Sequence, residues 1–240
     1  MTLSGRRVVV VGGTSGMGLA TVRAAAAQGA EVVAAGRRPV AGREPLEGVV
    51  QAHVDVTDET SVRALFDGMD RVDDLFVSAS PGSPGAFLEQ DLAAARTFVD
   101  GKLLGAWTCA RYAVPHMPAD GSITFVTGVA AVRPPRHAAM VTAAFAGVEA
   151  LSRALALELG PVRVNTIRPG YTDSEMWAGL SADERDDLRR RVAEALPAAR
   201  IGTTEDIAHA AVFLMTSRQT TGAVVEVSGG ESLVDTLDPR

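Results

Sequence analysis

Short aliphatic runs alternate with longer helix-forming stretches from one end of the chain to the other. Val8-Val9-Val10-Val11 reads as a buried parallel strand, because a strand covered on both faces needs no polar alternation. Met17–Ala27 is dense in helix formers, and Gly29 stands where a helix stop is expected. Further strands are predicted over Glu31–Ala35, Val49–Val54, Leu75–Val77, Ile123–Thr127, Val162–Ile167 and Val224–Val227. Helices are predicted from a cap at Thr57 or Asp58 through Met69, from Asp91 to Ala113, and from Ala138 to Leu159 before Gly160-Pro161. Pro81-Gly82-Ser83-Pro84-Gly85 is a loop by composition. Ser181 opens another helix with Glu184 at capping-box spacing, and Arg185–Arg191 after it reads as a charged, solvent-facing run. Regular βα alternation implies a doubly wound α/β fold, a parallel sheet of about seven strands with helices on both faces. No linker, repeat or low-complexity tract interrupts it, so 1–240 reads as one domain.

The first strand runs straight into Gly12-Gly13-Thr14-Ser15-Gly16-Met17-Gly18. A strand, a glycine-rich turn and a helix together present backbone N–H groups and a helix N-terminus to a pyrophosphate. Gly12 permits the tight turn, Gly16 lets the diphosphate approach the backbone, and Gly18 lets the helix pack close to the sheet. A bare glycine pattern is weak, but this context makes it a Rossmann-type dinucleotide site that includes Thr14, Ser15 and Met17. After the second strand the chain reads Gly36-Arg37-Arg38, with no acidic residue to accept from a ribose 2′-hydroxyl. Glycine plus arginine suits a 2′-phosphate, clamped by Arg37, so the expected cofactor is NADP(H).

Composition narrows the partners. With 240 residues, 47% of them hydrophobic, the chain is long enough for one well-buried α/β domain. A net charge of −6 with scattered arginines argues against nucleic acid. No apolar run is read as reaching the roughly 18–20 residues that span a bilayer, and the N-terminus lacks a signal-peptide profile, so a soluble cytoplasmic protein is expected. Cys109, the only cysteine, reads as a small buried hydrophobe, and no constellation of metal ligands is present.

Taken together, these residues resemble the short-chain dehydrogenase/reductase family over nearly the whole chain. Val11 to Gly18 is similar to that family's TGxxxGxG turn, and Asp55-Val56 to its adenine-contacting acidic–aliphatic pair. Arg163-Val164-Asn165-Thr166-Ile167-Arg168-Pro169-Gly170 is similar to its RVNxIxPG stretch beside the nicotinamide, and Val227-Ser228-Gly229-Gly230 to its C-terminal VDGG. The resemblance adds Arg38, Asp55, Val56, Ala79, Ser80, Pro169, Gly170 and Thr172 to the expected cofactor contacts. It also implies a substrate lid over 171–200, in which Met176 and Trp177 are candidate apolar lining. Pairing through the two long helices, as a homodimer or homotetramer, is implied as well.

The family's acid–base positions are altered. Where its tyrosine and lysine stand, this chain has Val141 and Phe145; Gly128 occupies the serine position and Lys102 the helical asparagine position. The NNAG-like segment reads Val77-Ser78-Ala79-Ser80. No Tyr-x-x-x-Lys exists elsewhere, because Lys102 is the only lysine. Losing a positioned general acid costs roughly 10²–10⁴ in rate. Positioning substrate over the nicotinamide still contributes on the order of 7–11 kcal/mol. Lys102 is the expected replacement, through a ribose contact, proton donation or carbonyl polarisation. Tyr171, directly after Pro169-Gly170, is the second candidate catalytic group; His137 with its neighbouring arginines, and Thr127 in place of serine, are weaker ones.

The expected function is an atypical NADP(H)-dependent oxidoreductase acting on a small carbonyl, imine or activated alkene. Two readings compete with it. One is a catalytically silent NADP-binding sensor or structural subunit; the other is a non-redox lyase or isomerase that kept the pocket.

Overall fold

The computed structural model describes residues 2–38, 48–82, 85–174 and 179–234. Its main sheet contains β1 (Arg7–Val11), β2 (Glu31–Gly36), β3 (Val49–His53), β4 (Asp74–Val77), β5 (Ser122–Val126), β6 (Arg163–Pro169) and β9 (Val224–Val227). All seven strands are parallel, in the order β3-β2-β1-β4-β5-β6-β9. The chain winds outward from β1 to β3, then crosses back to place β4 on the other side of β1. That reversal opens a crevice beyond the carboxyl ends of β1 and β4, where this kind of sheet binds its ligand.

Both faces of the sheet are covered. One face packs Val9, Val11, Leu75 and Ile123 beneath α2 (Glu59–Asp67), α4 (Gly105–Ala113) and α5 (Ala139–Glu158). The other packs Val8, Val10, Val32 and Phe76 beneath α1 (Gly16–Ala27) and α7 (Thr204–Thr216). This is the physical reason for four consecutive valines in β1: each of Val8 to Val11 is fully buried, alternately on the two faces. Each such burial contributes roughly 1.5–3 kcal/mol.

Polar side chains close the far ends. Arg163 donates to the carbonyls of Leu214 (2.6 Å) and Met215 (2.9 Å), satisfying acceptors at the end of α7. The Asn165 amide donates to Thr220 O (2.8 Å) and its oxygen accepts from Ala223 N (3.1 Å), fixing the approach to β9. Cys109 is fully buried, and burial pushes its thiol pKa up to about 12. It is an inert packing residue.

Three features depart from the sequence pattern. The expected helix Asp91–Ala113 is broken into α3 (Leu92–Val99), one π turn over Asp100–Leu104, and α4. The pattern leaves 204–216 without an element, yet α7 forms there behind a Thr203–Asp206 capping box. A small second sheet pairs β7 (Thr172–Asp173) with β8 (Gly202–Thr203). Between them lies α6 (Ala182–Ala195), which begins with the Ser181–Glu184 capping box the spacing predicts. Its charged run is not wholly solvated, because Arg189 reaches back to Asp173 at 2.6 Å. Helix α5, of 20 residues and mean hydropathy 1.4, is long and apolar enough to cross a membrane by length and composition, contrary to the sequence reading. In the fold it lies along the sheet, with Glu149 ion-paired to Arg168 on β6.

Candidate functional site

The crevice at the switch point is a cleft of about 340 Å³. Gly12, Thr14, Ser15, Gly16, Met17, Gly18, Arg37, Arg38, Asp55, Val56, Ala79 and Ser80 all line it. A larger groove of about 1060 Å³ beside β3 and α2 gathers no comparable set of groups.

The glycines are there for steric reasons. Gly12 has φ +89°, and a Cβ on it would stand 2.7 Å from both Ala79 N and Ser78 Oγ. A Cβ on Gly18 would be 2.0 Å from Gly12 O, so only glycine lets α1 start this close to the β1 turn. Gly16 faces open space at φ +49°. Ser15 caps α1 without any side-chain hydrogen bond, and no acidic residue occupies the first turn. The N–H groups there are left to an anionic ligand. Gly36 brings β2 against Thr14, with Thr14 Oγ1 only 2.7 Å from a notional Cβ.

The far wall is shaped by Asp55. Its carboxylate accepts from Thr57 N (3.0 Å) and Thr57 Oγ1 (2.7 Å), and these bonds hold its pKa below the usual carboxylate range, with Arg37 adding to the effect. Arg37 and Arg38 are exposed at the rim. An uncapped helix start, a glycine cradle, two arginines and an ionised carboxylate fit a nicotinamide dinucleotide.

Pro169, the last residue of β6, and Gly170, Tyr171 and Thr172 after it do not line this cleft; Ser174, which the sequence reading did not single out, does. Thr172 Oγ1 donates to Gly170 O at 3.0 Å. The Tyr171 N–H donates to Glu231 Oε2 at 2.8 Å, and the residue is half-buried. Gly36, Val54, Thr57, Ser78 and Pro81 complete the wall. Met176 and Trp177 lie outside the described residues.

Lys102 sits on the π turn and is only 4% exposed. Its Nζ is 3.5 Å from Ala79 O and 5.2 Å from the centroid of the Phe145 ring. No carboxylate neutralises it among the described residues, and burial lowers its pKa to about 8. This is not a solvated surface lysine. Phe145 belongs to a small apolar cluster with Phe98, Val141, Ala144, Ala130 and Ala138. The Phe98 and Phe145 rings lie 6.4 Å apart.

The weaker candidates are placed elsewhere. Thr127 Oγ1 donates to Glu149 Oε1 (3.1 Å) and approaches Ile167 O (3.3 Å), so its hydroxyl serves the interior. His137 is exposed, with a left-handed backbone (φ 65°). Arg133 donates to the Glu231 carbonyl at 2.7 Å.

Comparison with known proteins agrees with this geometry. Residues 11–232 match the family model described as enoyl-(acyl carrier protein) reductase. A cis-4-hydroxycyclohexanecarboxylate dehydrogenase of Sinomonas cyclohexanicum is 35% identical over 95% of this chain and 97% of its own. An L-fucose dehydrogenase of Mus musculus is 33% identical over 96% of this chain and 89% of its own. Among solved structures, a small-chain dehydrogenase in complex with NADPH superposes with a TM-score of 0.81 at 29% identity, covering 95% of this chain and 99% of that one. With the glycine turn, the switch-point cleft and the parallel sheet in place, the chain belongs to the short-chain dehydrogenase/reductase family of oxidoreductases.

Proposed function

We propose that the protein is an NADP(H)-dependent reductase of small carbonyl compounds or activated alkenes, with Lys102 standing in for the family's tyrosine–lysine pair. The observation that carries the reading is the buried, uncompensated Lys102 ammonium against Ala79, a wall of the dinucleotide cleft. Arg37 and Arg38 receive the 2′-phosphate, α1 the diphosphate, and Asp55-Val56 the adenine. NADPH, when bound, supplies hydride. Lys102 then donates a proton to the oxygen that becomes negative, or holds the nicotinamide ribose beside it.

The same ammonium orders the substrate classes. A pre-charged iminium meets an unneutralised cation, whereas a ketone or enone develops negative charge where the cation stabilises it. The Sinomonas relative's name gives a hydroxylated cyclohexanecarboxylate as its substrate, a compound of the same small-ring scale. The complex of a neighbour with NADPH supports the cofactor choice.

The silent-subunit reading draws on one observation, the apolar packing of Val141 and Phe145 where the family has polar groups. A panel of neutral cyclic ketones and enones with NADPH separates the two. Saturable NADPH oxidation that falls roughly 10²–10⁴-fold in Lys102→Met supports the reductase. Absence of turnover across the panel, with NADPH bound, supports the silent subunit. Pairing through the two long helices belongs to the same reading: Leu104, Trp107 and Leu157 leave 49%, 44% and 87% of their surface uncovered on them. A homodimer or homotetramer is the expected state.

A further inference from the structure

Glu231 is the residue at which three segments beyond the sheet meet. The chain leaves β9 through Gly229 and Gly230, both left-handed (φ +65° and +86°), and folds back to present Glu231 in a short 3₁₀ turn. Its Oε2 accepts the Tyr171 N–H at 2.8 Å, at the turn where β6 ends. Its own carbonyl accepts from Arg133 Nη1 at 2.7 Å, on the loop that follows β5. Strands β5, β6 and β9 are adjacent and parallel, so all three segments emerge on the edge of the sheet that carries the cleft.

The carboxylate fits closely. Its Oε2 is 2.4 Å from where a Cβ on Gly170 would stand, so it lies directly over that peptide. The Gly170 N–H is bonded to Val227 O (3.0 Å) and the Tyr171 carbonyl accepts from Gly202 N (3.1 Å). Glu231 therefore holds the N–H side of the peptide between Gly170 and Tyr171, whose carbonyl accepts from the Thr172 hydroxyl at 3.0 Å. The turn bearing it is itself fastened, since Ser228 and Ser232 hydroxyls both donate to Glu226 Oε1 at 2.6 Å and Arg168 holds Glu226 Oε2 at 3.0 Å.

We propose that Glu231 is a positioning residue for the nicotinamide half of the cofactor: through its bond to the Tyr171 N–H it holds the turn after β6 that leads, by Thr172-Asp173, to Ser174 on the cleft wall. This rests on the NADP(H) reading above. The adenine half is held by Arg37, Arg38 and Asp55, which make no contact with Glu231, so the two halves respond separately.

The test uses two probes, NADPH and 2′,5′-ADP, titrated into the full-length wild type, Glu231→Ala and Glu231→Gln. Removal of a charge-assisted bond is expected to weaken NADPH about tenfold in Glu231→Ala while 2′,5′-ADP changes less than about twofold. Glu231→Gln keeps an acceptor oxygen and is expected to stay within about threefold of wild type for NADPH. Equal losses for both probes, or unchanged NADPH binding in Glu231→Ala, overturn the proposal. If Glu231→Ala fails to fold, Arg133→Ala, which frees the same turn from its outer side, is expected to show the same split between the probes. Wild type that binds 2′,5′-ADP but not NADPH also overturns it, whereas wild type that binds neither removes the cofactor reading beneath it.

Discussion

A Cβ on Gly128 would stand 2.8 Å from Cε2 of Phe145. Gly128 is thus small because the Phe145 aromatic ring lies across it. The two positions are sterically coupled, and Lys102 lies 5.2 Å over the same ring. The result is a small apolar cluster beside a single buried amine.

That coupling is measurable by a double-mutant cycle. Gly128→Ser is expected to cost about 1–3 kcal/mol by overpacking in wild type. In a Phe145→Ala background the same change is expected to cost clearly less, leaving an interaction energy of at least about 0.5 kcal/mol by urea unfolding. Additive costs contradict the contact.

Lys102 makes stability depend on alkaline pH. Its folded pKa, about 8, lies below the ordinary 10.5, so between these values the unfolded chain binds the additional proton. Stability relative to Lys102→Met therefore rises as pH climbs from 8 to 10.5, by on the order of 3 kcal/mol. Below pH 8 the buried charge carries its full cost. Parallel stability curves for wild type and Lys102→Met across this range would remove the desolvated amine from the account.

Arg37 is expected to select the phosphorylated cofactor. Arg37→Ala should weaken NADPH by about 10–100-fold and NADH by less than about twofold. Fluorescence titration of the two dinucleotides checks this, and equal losses would mean that Arg37 does not touch the 2′-phosphate.

Arg168 and Glu149 form a bidentate pair at 2.9 and 2.6 Å, with side chains 15% and 6% exposed. Glu149→Ala leaves the guanidinium with Glu226 alone and takes from the Thr127 hydroxyl its carboxylate acceptor, leaving it Ile167 O at 3.3 Å. An expected loss of about 3–5 kcal/mol in unfolding free energy follows.

Much of this was legible in the chain because it is local. The glycine turn, the valine run of β1 and the Ser181–Glu184 box each state their structure within a few residues. Arg37 could be named because it follows directly on β2, and Asp55 because a single residue separates it from β3. Glu231 was not legible, since it acts on Tyr171 from sixty positions away and no local pattern marks it. Helix α7 was missed although Thr203 and Asp206 have capping spacing, because its buried face merges into a nearly continuous apolar run. The π turn at Lys102 has no sequence signature at all; it is a product of packing, with Gly101 against Pro81 and Gly105 against Val56.

Because Lys102 is the only lysine, ε-¹³C-lysine labelling gives one side-chain signal that needs no assignment. The most direct measurement follows that signal by NMR during titration with NADPH, while nicotinamide fluorescence reports binding. A saturable shift that tracks the fluorescence, with a changed Lys102 pKa in the complex, is the predicted result. Full NADPH binding with an unmoved lysine signal and pKa would contradict the central claim that Lys102 serves the cofactor site.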